Sequence, residues 1–208
     1  MALLHSGRKA AFFTVFILVL LSFAINSYAQ GEHPPLRFQH IGVEQGLSNS
    51  TALHMMQDSR GYIWIGTLDG LNRYNGYDFR VYTHDPDNPH SVGSNMISGR
   101  IVEDRAGTIW IGTDSGLSKF DFETERFTNY RYDDPTITDH TVYGMYEDTK
   151  GRLWIGSFHG ALYRFDRETE TFIPYKLASE DVKPDKIHDI VEDQAGRLWL
   201  ATSSAQTD

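Results

Sequence analysis

The 208 residues carry a formal net charge of -9, 40% hydrophobic and 13% aromatic residues, and no cysteine. That apolar content supports a packed core and excludes a disordered chain, and the lack of cysteine excludes disulfides, thiolate metal sites and a cysteine nucleophile. Beyond residue 29 there are 17 Lys and Arg against 28 Asp and Glu, a net of -11; such a surface repels nucleic acid and anionic lipid and keeps a protein soluble.

Residues 1–29 read as a secretory leader. Arg8 and Lys9 precede an apolar run from Ala10 to Ile25, and Ser27-Tyr28-Ala29 places small residues where a signal peptidase reads. The run is short for a membrane span of about 20 residues, so the expectation is a signal-peptide helix cleaved after Ala29, no span thereafter, and a periplasmic or secreted protein. A lead-in at 30–47 follows.

The tryptophans then announce a repeat. Trp64, Trp110, Trp154 and Trp199 are 46, 44 and 45 residues apart. Each sits in one phrase: Asp58-x-x-Gly61-x-Ile-Trp64-Ile-Gly-Thr, Asp104-x-x-Gly107-x-Ile-Trp110-Ile-Gly-Thr, Asp148-x-x-Gly151-x-Leu-Trp154-Ile-Gly-Ser and Asp193-x-x-Gly196-x-Leu-Trp199-Leu-Ala-Thr. Asp-x-x-Gly predicts a type I turn. The apolar triplet around each tryptophan predicts a strand buried on both faces, and the glycine after it marks a close approach by another backbone.

A strand before each Asp is predicted at 52–57, 97–103, 141–147 and 186–192. A third strand follows at 71–74, 117–120 and 162–165, and a fourth at 79–82, 127–130 and 172–175, with Asn75-Gly76 a strong hairpin signal. Four short antiparallel strands in about 45 residues match the blade of a β-propeller in strand count and period. The expected fold is therefore all-β, with blades at 48–90, 91–134 and 135–179 and a partial fourth at 180–208. The propeller would be incomplete, three full blades and half of another. Blades bury their faces only against neighbours, so the open ends predict association or aggregation of the isolated chain.

From Leu36 to Thr202 the text resembles the two-component regulator propeller repeat, through the repeated Asp-x-x-Gly-x-Ile/Leu-Trp phrase, the opening Gly46-Leu47-Ser48-Asn49 and the stretch from Gly61 to Tyr74. The resemblance implies the N-terminal periplasmic sensor part of a hybrid two-component histidine kinase of the Bacteroidetes kind, with a carbohydrate or its breakdown product as ligand. Such kinases continue into domains of which this sequence shows neither a phosphoacceptor histidine context nor a nucleotide-binding glycine box. The chain is accordingly read as a truncated or fragmentary sensor without kinase output.

No catalytic residues, metal ligands or cofactor are expected. The histidines are scattered, no Gly-x-Ser-x-Gly elbow occurs, and each Asp-Gly turn has too few oxygens for calcium. The tryptophans are read as core rather than as sugar platforms. Candidate ligand contacts are the residues that vary after the second strand: Asp69, Asp114, Ser115, Phe158 and His159. Expected partners are a glycan or small molecule and other propeller or receptor chains. The competing functions are a stand-alone interaction module and a propeller lyase or hydrolase; the latter requires a His-Glu or His-Asp cluster repeated between blades, which is not evident.

Overall fold

A computed structural model describes residues 36–133, 137–177 and 185–203. The leader and its cleavage site lie outside the described residues. The chain divides into two compact units, Met1–His40 and Ile41–Asp208. Of the first, residues 36–40 are described; they are irregular and exposed. The second opens with a single 3-10 turn at Val43–Gln45 and holds fourteen described strands.

The strands form four antiparallel sheets in which chain order equals spatial order. Sheet 1 contains β1 (Ala52–Gln57), β2 (Ile63–Thr67), β3 (Gly70–Tyr74) and β4 (Phe79–Tyr82). Sheet 2 contains β5 (Ile101–Glu103), β6 (Ile109–Thr113), β7 (Gly116–Asp121) and β8 (Arg126–Tyr130). Sheet 3 contains β9 (Val142–Glu147), β10 (Leu153–Ser157), β11 (Leu162–Asp166) and β12 (Thr171–Tyr175). Sheet 4 has two described strands, β13 (Lys186–Glu192) and β14 (Leu198–Ser203). This is a series of propeller blades. β5 is shorter than the predicted strand at 97–103 because Ile97 turns to donate its N–H to the Thr67 carbonyl of sheet 1 and Gly99 donates to Gly112.

The turn before each tryptophan strand is built identically. The Asp58 N–H donates to the Tyr62 carbonyl and the Gly61 N–H to the Asp58 carbonyl, and the other three copies repeat both bonds. Gly61, Gly107, Gly151 and Gly196 all have positive φ, 76° to 92°, the left-handed region that glycine enters without steric cost. One carboxylate oxygen of Asp58 accepts from the N–H groups of Arg60 and Tyr62, and the other accepts from the Trp64 indole at 2.8 Å. Asp104, Asp148 and Asp193 repeat the arrangement with Trp110, Trp154 and Trp199. Aspartate is thus required both to close the turn and to satisfy an indole donor.

Successive side chains of a strand point to opposite faces, so an Ile-Trp-Ile triplet serves two neighbours. Trp64, Leu71 and Tyr82 of sheet 1 pack with Ile109, Ile111 and Phe120 of sheet 2. Trp110, Leu117 and Tyr130 meet Leu153, Ile155 and Phe165 of sheet 3. Trp154 and Leu162 meet Ile187, Ile190, Leu198 and Leu200 of sheet 4. Trp64, Trp110 and Trp154 are at most 2% exposed. The fourth tryptophan departs from expectation: Trp199 is 58% exposed, because no described sheet packs beyond sheet 4.

The glycine after the triplet admits a side chain from the next sheet. A Cβ at Gly66 would stand 2.6 Å from Cγ2 of Ile97, and one at Gly156 2.5 Å from Cγ2 of Ile187. At Gly112 it would meet the Gly99 Cα and the Val142 carbonyl, each at 2.9 Å. A carboxylate completes each contact. Glu103 accepts from the Ser59 N–H at 2.6 Å, Glu147 from the Arg105 N–H at 2.8 Å, and Glu192 from the Thr149 N–H at 2.7 Å.

Candidate functional site

The varied residues after the second strands fall on turns β2–β3, β6–β7 and β10–β11. The repeat's Thr or Ser holds each turn: Thr67 Oγ1 donates to the Gly70 carbonyl, Thr113 Oγ1 to Gly116 and Ser157 Oγ to Ala161. The connectors between sheets link the turns into one rim. Gly70 donates to the Asn95 carbonyl, Asp114 to Met96, and Phe158 to Thr141; Thr141 Oγ1 in turn donates to the Asp114 carbonyl at 3.3 Å.

Along this rim the five predicted residues diverge. Asp69 is exposed, with its N–H on Thr67 Oγ1. Asp114 is half-buried, and one of its carboxylate oxygens is buried with no hydrogen-bond partner among the described residues. Ser115 is half-buried, and its carbonyl accepts from Arg131 Nε. His159 is exposed yet leans on Tyr132 and Tyr163, its Nε2 3.3 Å from the Tyr163 hydroxyl. Phe158 belongs to a different cluster. It stacks on Tyr143, centroids 6.0 Å apart and planes 25° apart, with the Lys186 ammonium 4.1 Å from its ring centre.

Tyr143 and His188, 5.8 Å apart by ring centroid, were not singled out by sequence reasoning. Both occupy β-bulges. The ladder between β9 and β10 skips Tyr143, that between β13 and β14 skips His188, and Leu53 takes the same place in sheet 1. An unpaired bulge residue re-aims its side chain. The chain thereby presents Tyr143, Phe158, Lys186 and His188, aromatic faces beside a cation and an imidazole, at the start of the first strands. The bulge needs a register comparison between strands, which the sequence alone does not supply; a tyrosine and a histidine at corresponding places in the first strands were the signal available.

The first strands also line an open trough of about 530 Å³ that includes Met55, Arg100, Val102, Glu103 and Met145. Arg100 of sheet 2 pairs with Asp189 of sheet 4. His54 lies near both; burial lowers its pKa and the Arg100 charge adds to that, while the Ser98 backbone and Asp189 oppose it. Burial raises the Tyr132 hydroxyl, helped by Tyr163 and Asp139. Among the described residues there is no group of three or more His, Cys, Asp or Glu side chains that could hold a metal ion. No helix among them is long and apolar enough to cross a membrane.

Against known families, the two component regulator propeller matches at four places, residues 46–69, 91–115, 136–159 and 181–204. The chain carries four two component regulator propeller repeats. These repeats resemble the extracellular domain of a protein assigned as a hybrid two component system of B. thetaiotaomicron, at 26% identity and a TM-score of 0.70, over 81% of this chain and 24% of that one. Histidine kinase P4 of Formosa agariphila is 37% identical over 79 residues, 38% of this chain and 6% of its own length. Virginiamycin B lyase of Staphylococcus aureus shares the fold alone, at 16% identity and a TM-score of 0.56, over 73% of this chain and 49% of that enzyme. The repeats thus span about a quarter of the extracellular domain they match and a small fraction of the kinase.

Proposed function

We propose that this chain is part of a periplasmic ligand-sensing propeller of a two-component receptor, and that it binds rather than catalyses. The observation that carries the reading is the Tyr143–Phe158 stack at a bulge on the rim, flanked by Lys186 and His188, in a chain whose repeats match the extracellular domain of a two component system. Aromatic faces supply apolar area and fixed geometry, and the cation and imidazole supply directed polar contacts. A sugar ring with an anionic or hydroxyl-rich edge suits that combination. The rigid blades hold the rim while turn residues vary, as in other scaffolds that carry binding loops.

Signalling then requires that ligand favour one of two arrangements of the receptor. The leader supports export, with Gln30 as the first mature residue. The test is saturation-transfer NMR of the purified chain against a panel of neutral and acidic oligosaccharides. Binding by at least one sugar, abolished in Tyr143→Ala and Phe158→Ala, is the expected result. Binding unchanged in both variants would remove the site, and no transfer from any sugar would remove the ligand class.

A further inference from the structure

At the end of the blades away from the rim, the packing between sheets 2 and 3 leaves a cavity of about 330 Å³. Thr108, Trp110 and Lys119 of sheet 2 line it, with Phe165, Arg167 and Glu170 of sheet 3. Both sheets are four-stranded and pack on each other through Trp110, Leu117, Leu153 and Phe165, so the walls come from these two sheets alone.

The junction between sheets 1 and 2 shows what fills this space elsewhere. There Tyr62 stands in place of Thr108, Phe122 in place of Arg167 and Arg73 in place of Lys119, with Arg73 opposite Trp64 as Lys119 is opposite Trp110. The Phe122 ring meets the Trp64 indole edge-on at 6.0 Å between centroids, and the Arg73 guanidinium lies 4.8 Å from the Tyr62 ring centre and pairs with Glu125 at 2.9 Å. The junction between sheets 2 and 3 lacks both rings. Across the four repeats the first of these positions holds Tyr62, Thr108, Arg152 and Arg197, and threonine is the one short side chain. Arg167 does not replace the lost ring, since its guanidinium turns to Asp104, Glu147 and the Gly151 carbonyl. The charge pairing changes as well. Glu170 occupies the place of Glu125 in the turn between third and fourth strands, but its Oε1 accepts from the Tyr130 hydroxyl at 2.8 Å. Asp121, two residues beyond Lys119, is taken up by its own turn, where it accepts from the N–H groups of Glu123 and Thr124 and from Thr124 Oγ1. Lys119 is left with no hydrogen bond or ion pair among the described residues, its ammonium 5.8 Å from the Trp110 ring centre.

We propose that this cavity binds an aromatic carboxylate, its ring taking the place that Tyr62 and Phe122 fill in the first junction and its carboxylate the place of Glu125, against Lys119. The volume falls within the range of small-molecule sites, about 300–1,000 Å³. A planar ring packs well against the aromatic wall of Trp110 and Phe165, and a carboxylate on an ammonium makes a charge-assisted bond, stronger than a neutral one. The site is separate from the Tyr143–Phe158 cluster at the other end of the blades, and neither reading depends on the other.

Saturation-transfer NMR and isothermal titration of the purified chain with phenylacetate, phenethylamine and acetate test it. Phenylacetate binds. Phenethylamine, the same kind of ring with the opposite charge, and acetate, the charge without the ring, each bind about tenfold more weakly or worse. Lys119→Met lowers the phenylacetate affinity about tenfold or more and removes its preference over phenethylamine. Thr108→Tyr restores the ring of the first junction and abolishes binding, while its urea midpoint matches or exceeds that of wild type because Tyr62 already fits the same turn. Tyr143→Ala leaves phenylacetate binding unchanged. The proposal is overturned if wild type does not bind phenylacetate, if phenethylamine binds as tightly, if Lys119→Met leaves the affinity unchanged, or if a folded Thr108→Tyr still binds. Loss of binding in Tyr143→Ala would put the ligand at the rim and overturn it equally. Should Thr108→Tyr not fold, Lys119→Met, whose side chain is only half-buried, decides the matter alone.

Discussion

Removing the carboxylate from one repeat turn separates the two roles assigned to it. In Asp104→Ala the Trp110 indole loses its acceptor at 2.8 Å, and the N–H groups of Ala106 and Thr108 lose theirs at 3.0 and 2.9 Å. Trp110 is 2% exposed and Asp104 5%, so water reaches the orphaned indole poorly. A buried unsatisfied donor costs about 1–3 kcal/mol, and each turn N–H that exchanges a charged acceptor for water loses about 0.5–1 kcal/mol. The sum is about 3 kcal/mol, a large part of the ~5–15 kcal/mol that keeps a domain folded. Urea unfolding followed by tryptophan emission measures it. Asp104→Asn keeps an acceptor for the turn and loses mainly the indole bond, so it falls between wild type and Asp104→Ala. Asp193→Ala is the internal control: its turn has the same bonds, yet Trp199 is 58% exposed and water replaces the lost acceptor. An Asp104→Ala loss below about 1 kcal/mol, or one no larger than that of Asp193→Ala, would refute the claim that the indole bond matters because it is buried.

Other outcomes follow from the same contacts. Gly112→Ala brings a methyl against backbone, the Gly99 Cα and the Val142 carbonyl at 2.9 Å, which cannot rotate away; it lowers stability by about 1–3 kcal/mol in urea unfolding, whereas Gly151→Ala meets open space and costs only its left-handed backbone. Acid lowers stability through the turn aspartates. Burial alone would raise the Asp148 carboxyl, but the Trp154 indole, the Arg152 backbone and guanidinium and the Lys150 N–H hold it below its ordinary 3.8. A carboxyl depressed in the fold stabilises fully above the unfolded value and progressively less as pH falls through the folded one. The urea midpoint should therefore be flat in Asp148's contribution above about pH 4 and fall below it. Asp148→Asn should flatten that acid limb, and an unchanged limb would show that other groups control it.

Much of the fold was legible because the repeat states its own period. Four tryptophan phrases and the alternating third strands located every described blade strand to within a few residues, and the one clear shortening, β5, arose where Ile97 bonds to Thr67 of sheet 1 and Gly99 and Arg100 both bond to Gly112 of β6. The close approach at Gly66, Gly112 and Gly156 was also readable, since glycine directly after a doubly apolar triplet has few other uses. The candidate rim was legible in part. Variation after the second strand pointed to Phe158, but it equally pointed to His159, whose ring leans on Tyr132 and Tyr163 instead.

What the sequence by itself determined was the local and periodic: the turn aspartates and glycines, the strand alternation, the identity of four like units, because turn geometry and side-chain periodicity are set within a few residues. Only the tertiary structure decided which tryptophan is left uncovered, and that Tyr143 and His188 leave the ladder to stand beside Phe158. Burial and register depend on what packs across from a residue, and that neighbour is some 45 residues away along the chain.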